Sequence, residues 1–450
     1  MTDFDLVLRG GHVVTDRSVE IADLGIRHGI ITAVTPGLSG SAADEIDATA
    51  LTVFPGGIDP HVHFDEPGRI EWEGLRAGTR ALAAGGYTSY VDMPLNCVPP
   101  TIDERSLELK LAAAQRESLL DYAVWGGLVP GNRAELARLA KRGVAGFKAF
   151  LCDGGLADFP GVDDFTLYDG MQRIAELDSI LLVHAENNAI VAGLAQRAIK
   201  AGAVGARDFV ASRPPIAEVE AIARALLFAE ETGCRLHVVH VSTVRGVQLV
   251  ADAYARGVDV SCETCPHYLL FTDEDVEAAG VSLKSSPPVR STREREGLWK
   301  LLDDGILGIV ASDHSPGAPE LRIGDDFFAV WGGVSGCQST RQLLLAEGYA
   351  RRGIDLPTIA CATSTNVAER FRLPRKGRVA VGYDADLAVV DLGQEWTLAA
   401  AELHYRHRVS AYVGQRVRGR VVRTLVRGRT VFADGRFGEP GAGRLLVPPV

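Results

Sequence analysis

The sequence predicts an α/β protein: a (β/α)₈ barrel carrying a small β-sandwich domain assembled from both termini. Three observations carry that prediction. Between residues 54 and 373, eight short apolar runs alternate with amphipathic stretches, the pattern of parallel strands joined by crossover helices. The two ends, 1–53 and 374–450, instead mix apolar and polar residues in short runs between turn residues, as half-buried antiparallel strands do. No Gly-rich turn follows the first central strand, whereas a doubly wound nucleotide-binding sheet would carry one there.

At the N-terminus, Phe4–Arg9, His12–Asp16, Val19–Arg27 and Ile30–Val34 read as strands, with Gly10-Gly11 between the first two as a turn. Ala385–Asp391, Thr424–Arg427 and Thr430–Phe432 read the same way at the other end, and the segment from Leu6 to Val14 echoes that from Thr424 to Phe432. Neither end is large enough to bury a face alone, so the two are expected to form one discontinuous domain. The eight central strands are expected at Thr52–Phe64, Thr88–Met93, Tyr122–Gly127, Gly143–Leu151, Ile180–Glu186, Leu236–Ser242, Asp259–Glu263 and Gly308–Ser312. Gly74–Ala84, Arg105–Ser118, Ala217–Thr232 and Arg245–Ala255 carry helical periodicity between them.

A formal charge of −11 over 450 residues argues against a nucleic-acid partner or an anionic membrane surface, both of which need a basic patch. No apolar run reaches the roughly 18 residues that span a bilayer, and Met1-Thr2-Asp3-Phe4-Asp5 does not read as a signal peptide. The seven cysteines are an odd, scattered set, so a disulfide framework is not expected and a cytoplasmic location is.

Catalytic groups of such barrels gather at the C-terminal ends of the strands. Strand one ends Asp59-Pro60-His61-Val62-His63; residues i and i+2 share a face, so His61 and His63 point together. Strand four holds Lys148 within Gly146-Phe147-Lys148-Ala149-Phe150, where a buried ammonium is expected to lose its charge. A neutral amine there could react with carbon dioxide to form a carbamate, a carboxylate-like ligand. Strand five ends at His184, strand six carries His237 and His240, and strand eight ends Ser312-Asp313-His314. Alternation sends His237 and His240 to opposite faces; His240, nearer the C-terminal end, is expected inward and His237 toward the helices. The inward set is then His61, His63, Lys148, His184, His240 and Asp313. Four imidazoles with oxygen ligands suit zinc, with cobalt, manganese or iron as alternatives. Six candidates exceed one open site and suit two divalent metal ions.

At this point the sequence resembles the amidohydrolase superfamily. The resemblance rests on Pro55-Gly56-Gly57-Ile58-Asp59-Pro60-His61-Val62-His63, on Gly146-Phe147-Lys148 and on Ser312-Asp313-His314-Ser315-Pro316. Within the superfamily's cyclic-amide hydrolases it is most similar to the allantoinases. That likeness rests on the stretch from Glu66 to Gly74, on Met93-Pro94-Leu95-Asn96, on Ala211-Ser212-Arg213-Pro214, on Cys262 through Tyr268, on Ser286-Pro287-Pro288-Val289-Arg290, on Trp331-Gly332-Gly333 and on Tyr405 through Ser410. The resemblance implies a small-molecule substrate, allantoin, opened to allantoate by a metal-bridging hydroxide. It implies His61 and His63 on the more buried metal, His184 and His240 on the more exposed one, and N6-carboxylated Lys148 bridging both. Asp313 would ligate the first metal and serve as general base, then general acid. The same likeness points to Ser286 and Gly332 as substrate contacts, with Asn96 and Ser315 as further candidates, and to a homotetramer.

Two departures separate the chain from its nearest relatives. Dihydroorotases place an arginine two residues after the His-x-His, for the substrate carboxylate; here that residue is Asp65, expected to repel one. Hydantoinases and dihydropyrimidinases place a tyrosine just after the lysine strand, where this chain reads Phe150-Leu151-Cys152-Asp153. Another cyclic-amide hydrolase is the nearest alternative. A dihydropyrimidinase-like scaffold would have lost ligands that are all present here. Cys262 and Cys265 read as structural thiols, and His404 and His407 as an interface or a solvated face.

Overall fold

The protein, seen as a computed structural model, is described over residues 2–449. The N-terminal strands are β1 (Phe4–Val14), β2 (Val19–Arg27), β3 (Ile30–Thr35), β4 (Ala42–Asp47) and β5 (Thr52–Pro55). The central ones are β6 (Gly57–Val62), β7 (Tyr87–Asp92), β8 (Asp121–Val124), β9 (Gly126–Gly127), β10 (Phe147–Phe150), β11 (Ile180–His184), β12 (Arg235–Val238) and β13 (Val260–Cys262). The C-terminal end adds β14 (Leu387–Thr397), β15 (Arg416–Val426), β16 (Arg429–Ala433) and β17 (Arg436–Phe437).

The two ends pair. Strands β1–β5 and β14–β17 form one nine-stranded sheet in the order β17-β16-β15-β14-β5-β1-β2-β3, with β4 beside β1. The seam is antiparallel β5–β14, with Val53 opposite Val389. Period-two alternation divides the sheet's faces. Val13, Val53, Leu387 and Val389 belong to a core of the sheet's own. Their neighbours Val14, Phe54, Ala388 and Val390 join the main core. Gly10-Gly11 proves to be a bulge inside one long strand and not a turn: the register shifts between Leu8 and Gly11. Gly10 takes φ +66° and donates its N–H to Asp23 Oδ1 at 2.7 Å. Strand β4 escaped the sequence reading because Ala42-Ala43-Asp44-Glu45-Ile46-Asp47 is mostly exposed and has no apolar rhythm.

The central part is mixed α/β, with parallel strands in two hydrogen-bonded groups, β6-β7-β8 and β9-β10-β11-β12-β13. They meet at Trp125, where Ala145 N–H donates to Val124 O and Gly126 N–H to Gly146 O, both at 2.9 Å. At the far side, isolated parallel bridges join Thr264 to Val310 and His314 to Val62. The expected strand Gly308–Ser312 is thus reduced to a bridge, because Val310 N–H turns away to Ala362 O. The expected strand Thr52–Phe64 divides at Gly56: its first part joins the terminal sheet, its second the central one. Only glycine fits at that division, since a Cβ would lie 2.1 Å from Thr88 Oγ1. Ile58, Val91, Ala123, Leu182, Val239 and Ile309, one from each of six strands or strand ends, share an inner cluster with Phe371 and Leu373.

Helices Leu75–Ala84, Glu104–Glu117, Pro215–Thr232 and Val244–Ala255 lie within two residues of their expected bounds. Local chemistry sets those ends: an Asp103–Ser106 capping box, a Thr243 side chain on Gly246 N–H, and Gly233 in the left-handed region. Among the described residues no helix is long and apolar enough to cross a membrane, and all seven cysteines are free.

Candidate metal centre

The strand ends bring the predicted set to one place. His61 near the end of β6 and His63 just beyond it turn their Nε2 atoms toward Asp313 Oδ1, at 3.2 and 3.6 Å. His184, the last residue of β11, sets Nδ1 3.0 Å from His240 Nε2. The His61 and His240 rings, 5.4 Å apart, join the two pairs. Five of these residues, His61, His63, His184, His240 and Asp313, line a cavity of about 460 Å³. Asn96, Ser286, Ser315 and Gly332 line it too. Lys148 lies beneath, fully buried, close enough for its charge to act on His184 and His240.

Lys148 Nζ has no hydrogen-bond partner among the described residues. Burial pulls its ammonium down to about 7 in spite of Asp313 and Glu263 nearby, so much of it is a free amine near neutral pH. Burial likewise lowers His63 and His184, and takes His240 well below the ordinary imidazole range, with the His184 and Lys148 charges adding to the effect. Neutral imidazole is the form that binds metals. Burial opposes ionisation of Asp313, but the His61, His63 and His240 rings outweigh it and hold the carboxyl far below its usual range.

Two carboxylates orient the imidazoles. Glu263 accepts from His61 Nδ1 at 2.5 Å, which leaves His61 Nε2 facing Asp313. Its other oxygen lies 3.1 Å from His237 Nε2, and His237 Nδ1 is 2.7 Å from Ser261 Oγ. Glu186 Oε2 lies 2.9 Å from His184 Nε2 and also receives Arg213. A carboxylate on the far nitrogen is how metal-binding imidazoles are commonly fixed. It leaves His61 Nε2 and His184 Nδ1 directed at their neighbours. The cluster thus fits a cation on its donor set and on the orphaned amine at its base. His61, His63 and Asp313 in particular form a buried group with ligand atoms within 4.8 Å of one another.

Neither Glu263 nor Glu186 was predicted, though Glu186 stands two residues past His184, a spacing that marks one strand face. The expected direction of His237 is corrected. His240 has φ +38°, which breaks the alternation, so His237 and His240 both serve the cluster. Asp65 is corrected as well. It is buried, absent from the cavity wall, and both its oxygens lack partners; burial with Asp92 and Glu73 nearby raises it well above the carboxylate range. It does not face a substrate in the cavity.

The motifs around Trp72 and His407 dock on each other. Arg406 Nε donates to Glu73 O at 2.7 Å, and His407 Nε2 lies 2.7 Å from Glu71 O. His404 packs on Phe437, ring centroids 4.8 Å apart. Both histidines are half-buried and make contacts within the chain.

The amidohydrolase family model matches residues 52–431. The chain is 55% identical to an allantoinase of Rubrobacter xylanophilus, over 100% of this chain and 98% of that one. It is 50% identical to an allantoinase of Solibacter usitatus, over 99% and 97%. Among solved structures it resembles the L-hydantoinase (dihydropyrimidinase) from Arthrobacter aurescens, with a TM-score of 0.96, 33% identity and coverage of 99% and 100%. Family and donor set together give a divalent-metal requirement. The chain belongs to the amidohydrolase family, among its allantoinases.

Proposed function

We propose that the chain hydrolyses the cyclic amide of allantoin, a ureido-substituted hydantoin, to allantoate. The observation that carries this reading is identity with allantoinases along the whole chain. We infer that His61, His63 and Asp313 hold one divalent cation and His184 and His240 a second, with N6-carboxylated Lys148 between them. The unpartnered Lys148 amine supports the carbamate. Its lone pair attacks the carbon of CO₂: the N–C bond forms as one C=O π bond opens onto oxygen, the proton of the nitrogen passes to solvent water, and the product is an anionic ligand with two oxygens. Zinc suits the imidazole-rich set best; cobalt, manganese and iron also accept it.

Cations held there supply Lewis acidity, which lowers the pKa of water and polarises the amide carbonyl. The chain's own residues do the rest. Asp313, kept ionised by the imidazoles around it, accepts the proton of the attacking water and returns it to the departing ring nitrogen. Glu263 and Glu186 keep the His61 and His184 rings turned. Ser286, Asn96, Ser315 and the backbone at Gly332 face the alternating N–H and C=O edge of the ring.

A (β/α)₈ TIM barrel spanning 54–373 and a β-sandwich domain from 1–53 and 374–450 complete the reading. The bridges at Val62–His314 and Thr264–Val310 support closure of the strand ring. The enzyme is read as a cytoplasmic homotetramer, which light scattering measures.

The test is a turnover panel with allantoin, hydantoin, dihydrouracil and dihydroorotate, on protein supplied with bicarbonate and each divalent metal in turn. Allantoin is expected to be hydrolysed best. Fast hydantoin turnover with none on allantoin overturns the reading in favour of a hydantoinase. No turnover and no bound metal leaves a scaffold.

A further inference from the structure

Lys284 stands on the cavity wall two residues before Ser286. It is buried, and no carboxylate lies within 4.0 Å of its ammonium among the described residues. Its backbone and side chain are both fastened to the segment across from it: Lys284 O accepts from Gly333 N–H at 2.7 Å, and Nζ donates to Val330 O at 2.5 Å. The ammonium lies over the rings of Phe209 at 4.8 Å and Phe327 at 5.6 Å. One N–H of three is thus used on Val330 and the others are free to donate. The other cation on this wall, Arg213, is committed to Glu186. Burial, with Arg213 nearby, outweighs the Asp326 carboxylate, which lies beyond contact, and brings the Lys284 ammonium to about 8, still largely protonated at neutral pH.

A desolvated ammonium with no carboxylate in contact calls for a strong acceptor from the ligand. In the pose proposed above, the reacting ring carbonyl lies toward the imidazole cluster and the ring edge along hydroxyl and backbone groups. The acceptor left over is the carbonyl of the substituent. We propose that Lys284 is the specificity-determining residue for the ureido arm, donating to its carbonyl and so favouring carbonyl-bearing substituents over bare or alkyl-substituted rings. The inference rests on the allantoin reading and deepens it.

The test compares wild type with Lys284→Met on allantoin and on unsubstituted hydantoin; where hydantoin is not turned over, its inhibition constant takes the place of a rate. The expected result is a loss of at least about tenfold in kcat/KM for allantoin, mostly as a rise in KM. Hydantoin should change by less than about twofold, since it has no arm to lose a bond. Lys284→Arg, which keeps a cationic donor, should retain more of the preference, and Lys284→Gln gives a second reading if the Met variant is insoluble. Equal loss on both rings assigns Lys284 a structural role and overturns the inference, as does no loss on either. Wild-type protein that ignores allantoin removes the functional reading and the inference with it. Wild-type protein that turns allantoin over, with its preference unchanged in the variants, overturns the inference alone.

Discussion

Two of the buried lysines, in two regions of this molecule, have opposite surroundings. Lys376 lies at the junction of the terminal sheet with the central strands. It is 2.7 Å from Asp121, 2.9 Å from Asp384 and 2.7 Å from Asp386. Arg427 also reaches Asp121, so the first residue of β8 is tied to the chain on both sides of β14. Burial works against this ammonium, but Asp386, Asp121 and Asp384 outweigh it and raise it above its ordinary value. Lys148, equally buried, has no hydrogen-bond partner among the described residues and is pulled down to about 7. A buried cation that serves architecture is neutralised on the spot. A buried amine left bare has been left for something to react with or bind to. Both regions are dense in charge; only the satisfaction of that charge separates them.

The largest break in the comparison is Lys148→Ala. Activity and bound metal should fall by more than about 100-fold, with partial return on adding short-chain carboxylic acids that occupy the vacated space. Full metal content and full rate in the variant would remove the bridging role. Thermal unfolding of the metal-free protein should move little by comparison with the next variant. Lys376→Met strands three carboxylates and should destabilise by about 3–5 kcal/mol, read by denaturant unfolding. At a temperature where the variant is folded, kcat should match wild type.

A pH series sharpens the contrast further. Lys376 is raised in the fold above its ordinary 10.5, so its contribution is fully present below that value and is lost as pH rises through the folded-state value. The stability gap between wild type and Lys376→Met should therefore hold across neutral pH and shrink above 10.5. A gap that shrinks near pH 7 instead would count against the three-carboxylate account. The smallest expected effect is that of Glu263→Gln, which leaves a hydrogen-bonding group of the same shape beside His61. Metal affinity should weaken by about 10–100-fold, and kcat should return at saturating metal. An unchanged metal dissociation constant would make Glu263 a spectator.

The clustering of the candidate ligands was legible because they stand at or near the C-terminal ends of successive strands, which the fold brings to one cavity. The spacing of His61 and His63 and the apolar neighbours of Lys148 were each weak signals; their co-occurrence at five strand ends made the set readable. Glu263 was hidden, since a glutamate between Cys262 and Thr264 carries no pattern of its own. His237 was misplaced because alternation presumes extended backbone, and His240 at φ +38° is not extended. Strand β4 and the bulge at Gly10 were lost for related reasons: one is polar and exposed, and the other is a local kink that looks like a turn in sequence. Asp65 shows the limit of reading charge from letters, because its burial opposes ionisation and holds it away from the cavity wall.

The sequence by itself determined the alternation of strands and helices, the pairing of the two ends and the residue types at the strand ends. Those follow from periodicity and chain connectivity, which are local. Tertiary structure alone decided that Gly56 is the point where one apolar run divides between two sheets. It alone set Glu263 behind His61 and His237, and Lys284 on the cavity wall with no carboxylate in contact among the described residues. These are facts of distance between residues far apart in the chain, and charge and burial take their meaning from such distances: Lys148 and Lys376 are the same letter, and only the fold sets three aspartates in contact with Lys376 and leaves Lys148 without a hydrogen-bond partner among the described residues.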